Sequence, residues 1–343
     1  MNRRTLLSAI AATSLLAVTT GCSADSSAAA QDGTTTVTLA LDWTPNTNHT
    51  GIYVAQAKGW FKDAGINLKI VPYGSTAPET LIANHKADFG ISYQEGITTA
   101  RAAGQDITSV YAVTQKTNVT VAVRADRDDI TSPKDLDGET YAGFGAPYEK
   151  PLLQKVIQNA GGEGDFKQVT LNTSAYAALY AGKADFAMPM PTWEGLEAEL
   201  SGKPLKNFQL SDYGFPAIYS TLVASSDQFL KKNPALARKF LAAVDKGYRY
   251  AADNPDKAAD LLISENKSVL TNTELVTKSE ELLAKEYYKG ADGTIGTQTA
   301  ERWQAFADFE YKAGLLVDAN GKKLTKVPDA AEFFTNDYLP DTK

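Results

Sequence analysis

Between Asp42 and His49 the chain places an acid, an indole, two carboxamides and an imidazole within eight residues, Asp-Trp-Thr-Pro-Asn-Thr-Asn-His. Such side chains are poor core material. They suit gripping a small polar molecule, with hydrogen bonds at its edges and a flat apolar surface under its ring. Three later stretches carry the same mixture: Tyr93-Gln94-Glu95, Gly145-Ala146-Pro147-Tyr148 and Thr192-Trp193-Glu194-Gly195. Trp43, Tyr93, Tyr148 and Trp193 could sandwich a flat ring. Asp42 and Glu194 could accept hydrogen bonds from a ring amine or an amidine-like edge, and a site built on such bonds discriminates strongly. Backbone N–H groups at Phe144-Gly145-Ala146-Pro147, opening a helix, could hold a carbonyl or anionic oxygen. Asn46 and His49 complete the polar set, whereas His85, at a helix end, reads as surface. Two plainer readings stay open: a solvated loop with Trp43 tucked beneath it, and ordinary helix capping and packing for Trp193 and Glu194.

Catalytic patterns are missing. The sequence has no Gly-x-Ser-x-Gly elbow, no His-Glu-x-x-His, no Cys-x-x-Cys and no phosphate-binding Gly-x-x-x-x-Gly-Lys loop, and it holds one cysteine and two histidines. No spacing singles out a carboxylate pair among the 41 acids. We therefore expect a binding cleft without an active site, needing neither cofactor nor metal. A net charge of −7 and the lack of a basic run with interleaved aromatics argue against nucleic acid.

Each candidate segment must be held at the end of a strand and the start of a helix, where open α/β sheets hold ligands. Val37, Leu39 and Leu41 alternate with Thr38 and Ala40 as a strand broken by Pro45 and Asn46, and Asn48 or Thr50 could cap the next helix. Strands are expected at 66–73, 88–93, 108–115 and 119–125, with helices between, which calls for a largely parallel sheet. A second set begins after Ser132-Pro133-Lys134-Asp135-Leu136, with strands at 139–144, 166–171 and 184–190. Lys-Ala-Asp-Phe at Lys183 echoes Lys-Ala-Asp-Phe at Lys86, so the halves look like related lobes. An apolar strand at 217–225 would cross back. From Asn233 the spacing of Phe240, Leu241, Val244 and Tyr248, then Leu275, Leu282 and Leu283, then Trp303, Phe306 and Phe309 predicts helices that pack on the first lobe and brace the hinge. With 343 residues, 43% apolar and 22% charged, the chain suits two domains. We expect lobe one at 37–125 plus 225–343 and lobe two at 126–224, in a monomer.

The N-terminus is read as a targeting segment. Asn2-Arg3-Arg4 is basic, 6–18 is uncharged and apolar, and small residues lead into Cys22. Residues 1–22 resemble a lipoprotein signal in which Cys22 becomes the lipidated first residue. Thr19 departs from the aliphatic residue usual three positions earlier, and the Asn-Arg-Arg-Thr-Leu-Leu run loosely resembles a twin-arginine signal. The Ser-, Ala- and Thr-rich 23–36 would be a tether.

Leu-Asp-Trp-Thr-Pro-Asn-Thr-Asn-His-Thr-Gly from Leu41, Asp-Phe-Gly-Ile-Ser-Tyr-Gln-Glu from Asp88, the Ser132–Leu136 turn, Gly-Phe-Gly-Ala-Pro from Gly143 and Pro-Thr-Trp-Glu-Gly from Pro191 together resemble a known group. They are similar to the solute-binding lipoproteins of ABC importers for thiamine pyrimidine precursors, related to eukaryotic pyrimidine precursor synthases. The similarity covers roughly residues 36–255, and its opening motif is shared with riboflavin binders and more loosely with nitrate, sulfonate and taurine binders. The resemblance implies a type II periplasmic-binding fold, two α/β lobes with a cleft and hinge, an ABC permease partner and an extracytoplasmic, lipid-anchored location. It also implies a 4-amino-2-methylpyrimidine-type ring stacked by aromatics and hydrogen-bonded by Glu194. Asp42, Trp43, Asn46, Tyr93 and Gln94 match the cleft-lining stretch. The synthase branch carries a cysteine-rich iron-binding motif; the matching loop here, Gly-Phe-Gly-Ala-Pro-Tyr-Glu, has no cysteine, which speaks for transport over synthesis. Pro189-Met190-Pro191 departs from the group's usual pattern. A structural or adhesion lipoprotein is the bland alternative.

Overall fold

The computed structural model describes residues 33–340. The expected signal segment, Cys22 and most of the tether lie outside them. Tyr, Val, Ile and Thr runs bounded by Gly and Pro build two five-stranded sheets, each covered by helices. The first sheet takes β1 (Thr35–Ala40), β2 (Ile66–Val71), β3 (Phe89–Ser92) and β4 (Thr108–Ala112). Helices α1 (Thr50–Ala57), α2 (Trp60–Asp63), α3 (Pro78–Ala83) and α4 (Gln94–Ala102) connect these strands. The second sheet takes β5 (Thr120–Arg124), β6 (Thr140–Gly143), β7 (Lys167–Thr170), β8 (Phe186–Ala187) and β9 (Leu205–Gln209). Its helices are α5 (Glu149–Asn159), α6 (Ala175–Tyr180) and α7 (Leu196–Leu200). The chain then returns through β10 (Leu222–Ser225) to the first sheet. It ends on α8 (Asp227–Lys232), α9 (Pro234–Asp253), α10 (Pro255–Glu265), α11 (Thr273–Glu286) and α12 (Ala300–Lys312).

Strand order is β2-β1-β3-β10-β4 in one sheet and β7-β6-β8-β5-β9 in the other. The two orders are equivalent, which agrees with the repeated Lys-Ala-Asp-Phe unit. β1 pairs parallel with β2 and β3, and β6 with β7 and β8. Each sheet has one antiparallel member, β10 or β5, and in both it is the strand that has just crossed from the other lobe. This is the expected type II periplasmic-binding arrangement.

Three expected boundaries are corrected. Residues 119–125, assigned to lobe one, form β5 in the second sheet, because the chain crosses directly after β4 and pairs with β8 and β9. Leu222–Ala224, assigned to lobe two, already pair with β3 and β4 in the first sheet. Thr35 and Thr36, assigned to the tether, are strand residues opposite Ile66 and Asn67. β9 had no alternating signal: within Leu205-Lys206-Asn207-Phe208-Gln209 only Phe208 is buried.

The cores follow the periodicity. Val37, Leu39 and Ile91 pack with Ile52 and Val54 of α1 and with Phe240, Leu241, Val244 and Tyr248 of α9. Phe89 stacks on Phe240 at 3.9 Å between ring centroids. Helices α1 and α9 cross so closely that a Cβ on Gly247 would sit 1.9 Å from the Gly51 carbonyl oxygen. In lobe two, Val121, Tyr141 and Phe186 pack with Leu153, Val156 and Ile157 of α5. Helix α12 serves both lobes: Trp303 joins the Ile97 and Tyr219 cluster, while Phe306 packs with lobe two and Phe309 lies 4.3 Å from Phe215. The brace expected of the tail is therefore real.

Candidate functional site

Between the lobes lies a cavity of about 840 Å³, lined from both sides by the segments that follow β1, β3, β6 and β8. Lobe one contributes Asp42, Trp43, Asn46, Asn48, Tyr73, Glu79, Tyr93 and Glu95. Lobe two contributes Phe144, Gly145, Ala146, Tyr148, Glu149, Tyr176, Met190, Trp193 and Glu194. Nine of the eleven ligand-site residues expected from sequence are thus brought together.

The opening loop is rigid for reasons visible in its own residues. Asn46, rather than Asn48 or Thr50, is the cap: its side chain accepts from Asn48 N–H at 2.8 Å and starts the 3-10 turn Thr47–His49. His49 Nδ1 accepts from Asn46 N–H at 3.3 Å, so the proton of the neutral ring sits on Nε2, which donates to Asp42 Oδ1 at 2.8 Å. His49 is fully buried and does not line the cavity. It orients Asp42 instead of meeting a ligand, because the turn folds the ring under the loop. From behind, Tyr248 and Tyr288 hydroxyls donate to the carbonyls of Asn48 and Thr47 at 2.7 and 3.1 Å, and Thr50 Oγ1 donates to Glu280 on α11 at 2.5 Å.

Gln94 is the second expected residue that the cavity does not include. Its Oε1 accepts from Tyr219 N–H at 2.8 Å, so it ties α4 to the returning chain at the hinge. There the crossing segments lie side by side, Ile218 N–H on Thr117 Oγ1 at 3.1 Å and Asn118 N–H on Ser220 Oγ. Arg302 of α12 donates to the Gln115 carbonyl at 2.6 Å and stacks on Tyr219.

On the lobe-two side, Glu149 bends back and accepts from the N–H groups of Phe144, Gly145 and Ala146 at 2.9, 2.8 and 3.2 Å. The backbone donors expected to hold a ligand oxygen are already occupied by a carboxylate. Gly145 and Ala146 remain as wall. Pro191–Gly195 opens not as an α-helix but as a π-turn, with Gly195 N–H bonded to the Met190 carbonyl at 3.1 Å. Trp193 packs against the Tyr53, Leu262 and Val276 cluster of the other lobe. Glu194 accepts from Met190 N–H at 3.0 Å, and burial pushes its carboxyl up to about 8.

Trp43 is not held apart from lobe two. Its ring meets Phe144 edge-on at 5.1 Å, Tyr176 at 6.3 Å and Tyr73 at 5.3 Å. Asn48 Nδ2 reaches Met190 Sδ at 3.1 Å across the same gap. The lobes are closed on one another.

Electrostatically the cavity is one-sided. Asp42, Glu79, Glu95, Glu149 and Glu194 line it, and among the described residues no Lys or Arg does. Burial raises Glu79 and Glu149 above the usual carboxylate range and takes Glu95 up to about 7. Burial, reinforced by Asp42, holds Tyr93 well above the ordinary phenol value, and Tyr148 and Tyr176 are held high chiefly by burial too. Sequence reasoning missed Glu79 and Glu149 because an acid in a helix's first turn is ordinary. Nothing local marks Tyr73, Phe144 or Tyr176 as cleft-facing, since only the closed lobes bring them around Trp43.

Comparison with known proteins places this site in a family. Residues 46–258 match the family model described as NMT1/THI5 like. The chain is 30% identical over 279 residues to the formylaminopyrimidine-binding protein of Halalkalibacterium halodurans, covering 78% of this chain and 82% of that protein. It is 25% identical over 316 residues to the 4-amino-5-hydroxymethyl-2-methylpyrimidine phosphate synthase THI5 of Saccharomyces cerevisiae, covering 88% and 87%. Among solved structures it is similar to the alkanesulfonate-binding protein SsuA from Xanthomonas axonopodis pv. citri bound to MOPS. That match has a TM-score of 0.66 at 14% identity and covers 88% of this chain and 98% of that one, a likeness of fold. The chain belongs to the NMT1/THI5-like family.

Proposed function

We propose that this protein is the extracytoplasmic solute-binding component of an ABC importer and captures an aminopyrimidine of the thiamine-precursor type. The observation that carries the reading is the lining of the cleft: five acidic side chains among aromatic rings and, among the described residues, no lysine or arginine. Such a lining favours a ligand rich in N–H donors and offers nitrate or a sulfonate no cationic partner, although the fold is shared with an alkanesulfonate binder. An aminopyrimidine edge offers one amine donor and one ring nitrogen. Glu194, keeping its proton to about pH 8, can donate its O–H to the ring nitrogen and accept from the amine. Asp42, fixed by His49, and Asn48 Oδ1, which is buried without a protein partner, supply further acceptors. The relative from Halalkalibacterium halodurans, named for formylaminopyrimidine binding, supports the same ligand class.

Binding rather than synthesis is favoured, even though THI5 is named as a synthase. The loop where the resemblance puts the synthases' cysteines is Gly143–Glu149 and contains none; the one cysteine is Cys22. Closure of two lobes over the ring is the signal a permease would read. Export and lipidation at Cys22, with a monomer tethered by the residues between Cys22 and β1, complete the proposal. Calorimetric titration with 4-amino-5-hydroxymethyl-2-methylpyrimidine tests it: saturable binding is expected, and no heat with that compound or its formylated amine analogue would overturn it.

A further inference from the structure

The cavity is larger than one ring requires. About 840 Å³ lies within the ~300–1,000 Å³ range that accommodates whole drug-sized ligands. Its lining includes one face of α4, at Glu95, Thr99 and Ala103, together with Gln105 and, beyond α12, Val317. Glu95, Thr99 and Ala103 follow one another at a spacing of four and share one side of the helix.

This arm is short of donors. Glu95 is 4% exposed and lines the cavity, and its Oε2 has no hydrogen-bond partner among the described residues. Gln105 Oε1 is likewise buried and unpartnered. Behind Glu95 stands Glu310 of α12, 2% exposed, with its own Oε2 unpartnered and its carboxyl pushed up mainly by burial and also by Glu95. Tyr148 lines the same cavity, its hydroxyl held high by burial and by the nearby Glu95. A buried carboxylate without a donor is costly unless something supplies charge or hydrogen bonds.

Resting on the aminopyrimidine reading above, we propose that the arm beside Glu95 is a second subsite, and that the ligand is an aminopyrimidine carrying a cationic substituent. A protonated amine, or a cationic ring linked through one methylene, would place its charge against Glu95 while the pyrimidine occupies the Asp42 and Glu194 end. Its N–H or C–H donors would meet acceptors that the protein leaves free, and Thr99, Ala103 and Val317 would cover its apolar side.

The test compares three probes by calorimetric titration at pH 7: 4-amino-5-hydroxymethyl-2-methylpyrimidine, its 5-aminomethyl counterpart, and thiamine, which carries a ring cation. At least one cationic probe is expected to bind roughly tenfold or more tighter than the hydroxymethyl compound. In Glu95→Gln the ratio between cationic and neutral affinities should shrink to within about threefold. Equal affinities in the unmodified protein, or a neutral probe that binds tightest, overturn the second subsite while leaving the ring site standing. An undiminished ratio in Glu95→Gln removes Glu95 from it. Failure of all three pyrimidines to bind rejects the underlying reading and this inference with it. Because the comparison in the unmodified protein is decisive alone, a Glu95→Gln chain that did not fold would not spare the proposal.

Discussion

Glu194 carries the sharpest residue-scale expectation. Replacing it with Leu removes both hydrogen bonds to the ring, whereas Gln would keep a donor and an acceptor in place of the protonated carboxyl; the Leu change should cost about 2 kcal/mol in binding. Titration of the Glu194→Leu chain with 4-amino-5-hydroxymethyl-2-methylpyrimidine measures this, and unchanged affinity would take Glu194 out of the site. The same side chain sets a pH dependence. Burial lifts its carboxyl to about 8, and the ring nitrogen of a neutral ligand needs its proton. Affinity should therefore hold up to that pH and then fall about tenfold per unit. Affinity that rose through pH 9 would mean the ionised form is the one that binds. Trp193-Glu194 was legible as a site motif from its resemblance, and Asp42-Trp43 from composition. His49 and Gln94 were not separable from true lining residues, because a buried hydrogen-bonding role and a ligand-binding role draw on the same side chains. Only the bonds to Asp42 and Tyr219 decide between them.

At the scale of elements, the site loop depends on helices far away in sequence. Tyr248 of α9, Glu280 of α11 and Tyr288 just beyond it hold residues 47–50 from behind. Helix α9 reaches the loop only because Gly247 lets α1 approach. Gly247→Ala should destabilise the fold by about 1–3 kcal/mol or more through overpacking, read as a lowered melting temperature. A melt equal to the parent would mean that the crossing relaxes freely. Glu280 gives this contact its own pH signature. Burial raises its carboxyl to about 8 in the folded chain, against a model-peptide value near 4.3. The folded state then binds the extra proton between those values, so this stabilisation is complete below the lower one and is lost as pH rises through about 8. Glu280→Gln should flatten the decline in melting temperature between pH 5 and pH 8. An identical slope in the variant would remove Glu280 as a source. Helix periodicity made α9 and α12 legible in sequence. Their partners were not, since packing between residues two hundred positions apart leaves no local trace. The π-turn at Pro191–Gly195 was missed for another reason: its composition is that of a capped α-helix start.

For the whole molecule, the repeated strand order and the two crossings make a hinge, with α12 packed on both sides of it. The alternating pattern made the two lobes visible. The lobe boundaries were off because a strand that crosses and joins the other sheet has the same composition as one that stays. Trp43 against Phe144 and Tyr176 shows how the lobes meet. The proposed lipidation belongs to the full chain: Cys22→Ser should release the protein from the membrane fraction of cells that export it, and continued co-sedimentation would contradict lipidation there.

The central claim is that this cleft takes an amine-bearing pyrimidine and refuses anions. Its most direct test is thermal melting of the chain from residue 33 with excess 4-amino-5-hydroxymethyl-2-methylpyrimidine, riboflavin, nitrate or an alkanesulfonate. A ligand bound only by the folded state raises the melting temperature with the logarithm of its excess over Kd. The acidic lining of the cavity, without a lysine or arginine among the described residues, predicts a rise with the aminopyrimidine and none with nitrate or the sulfonate. A rise with either anion and none with the pyrimidine would contradict the account.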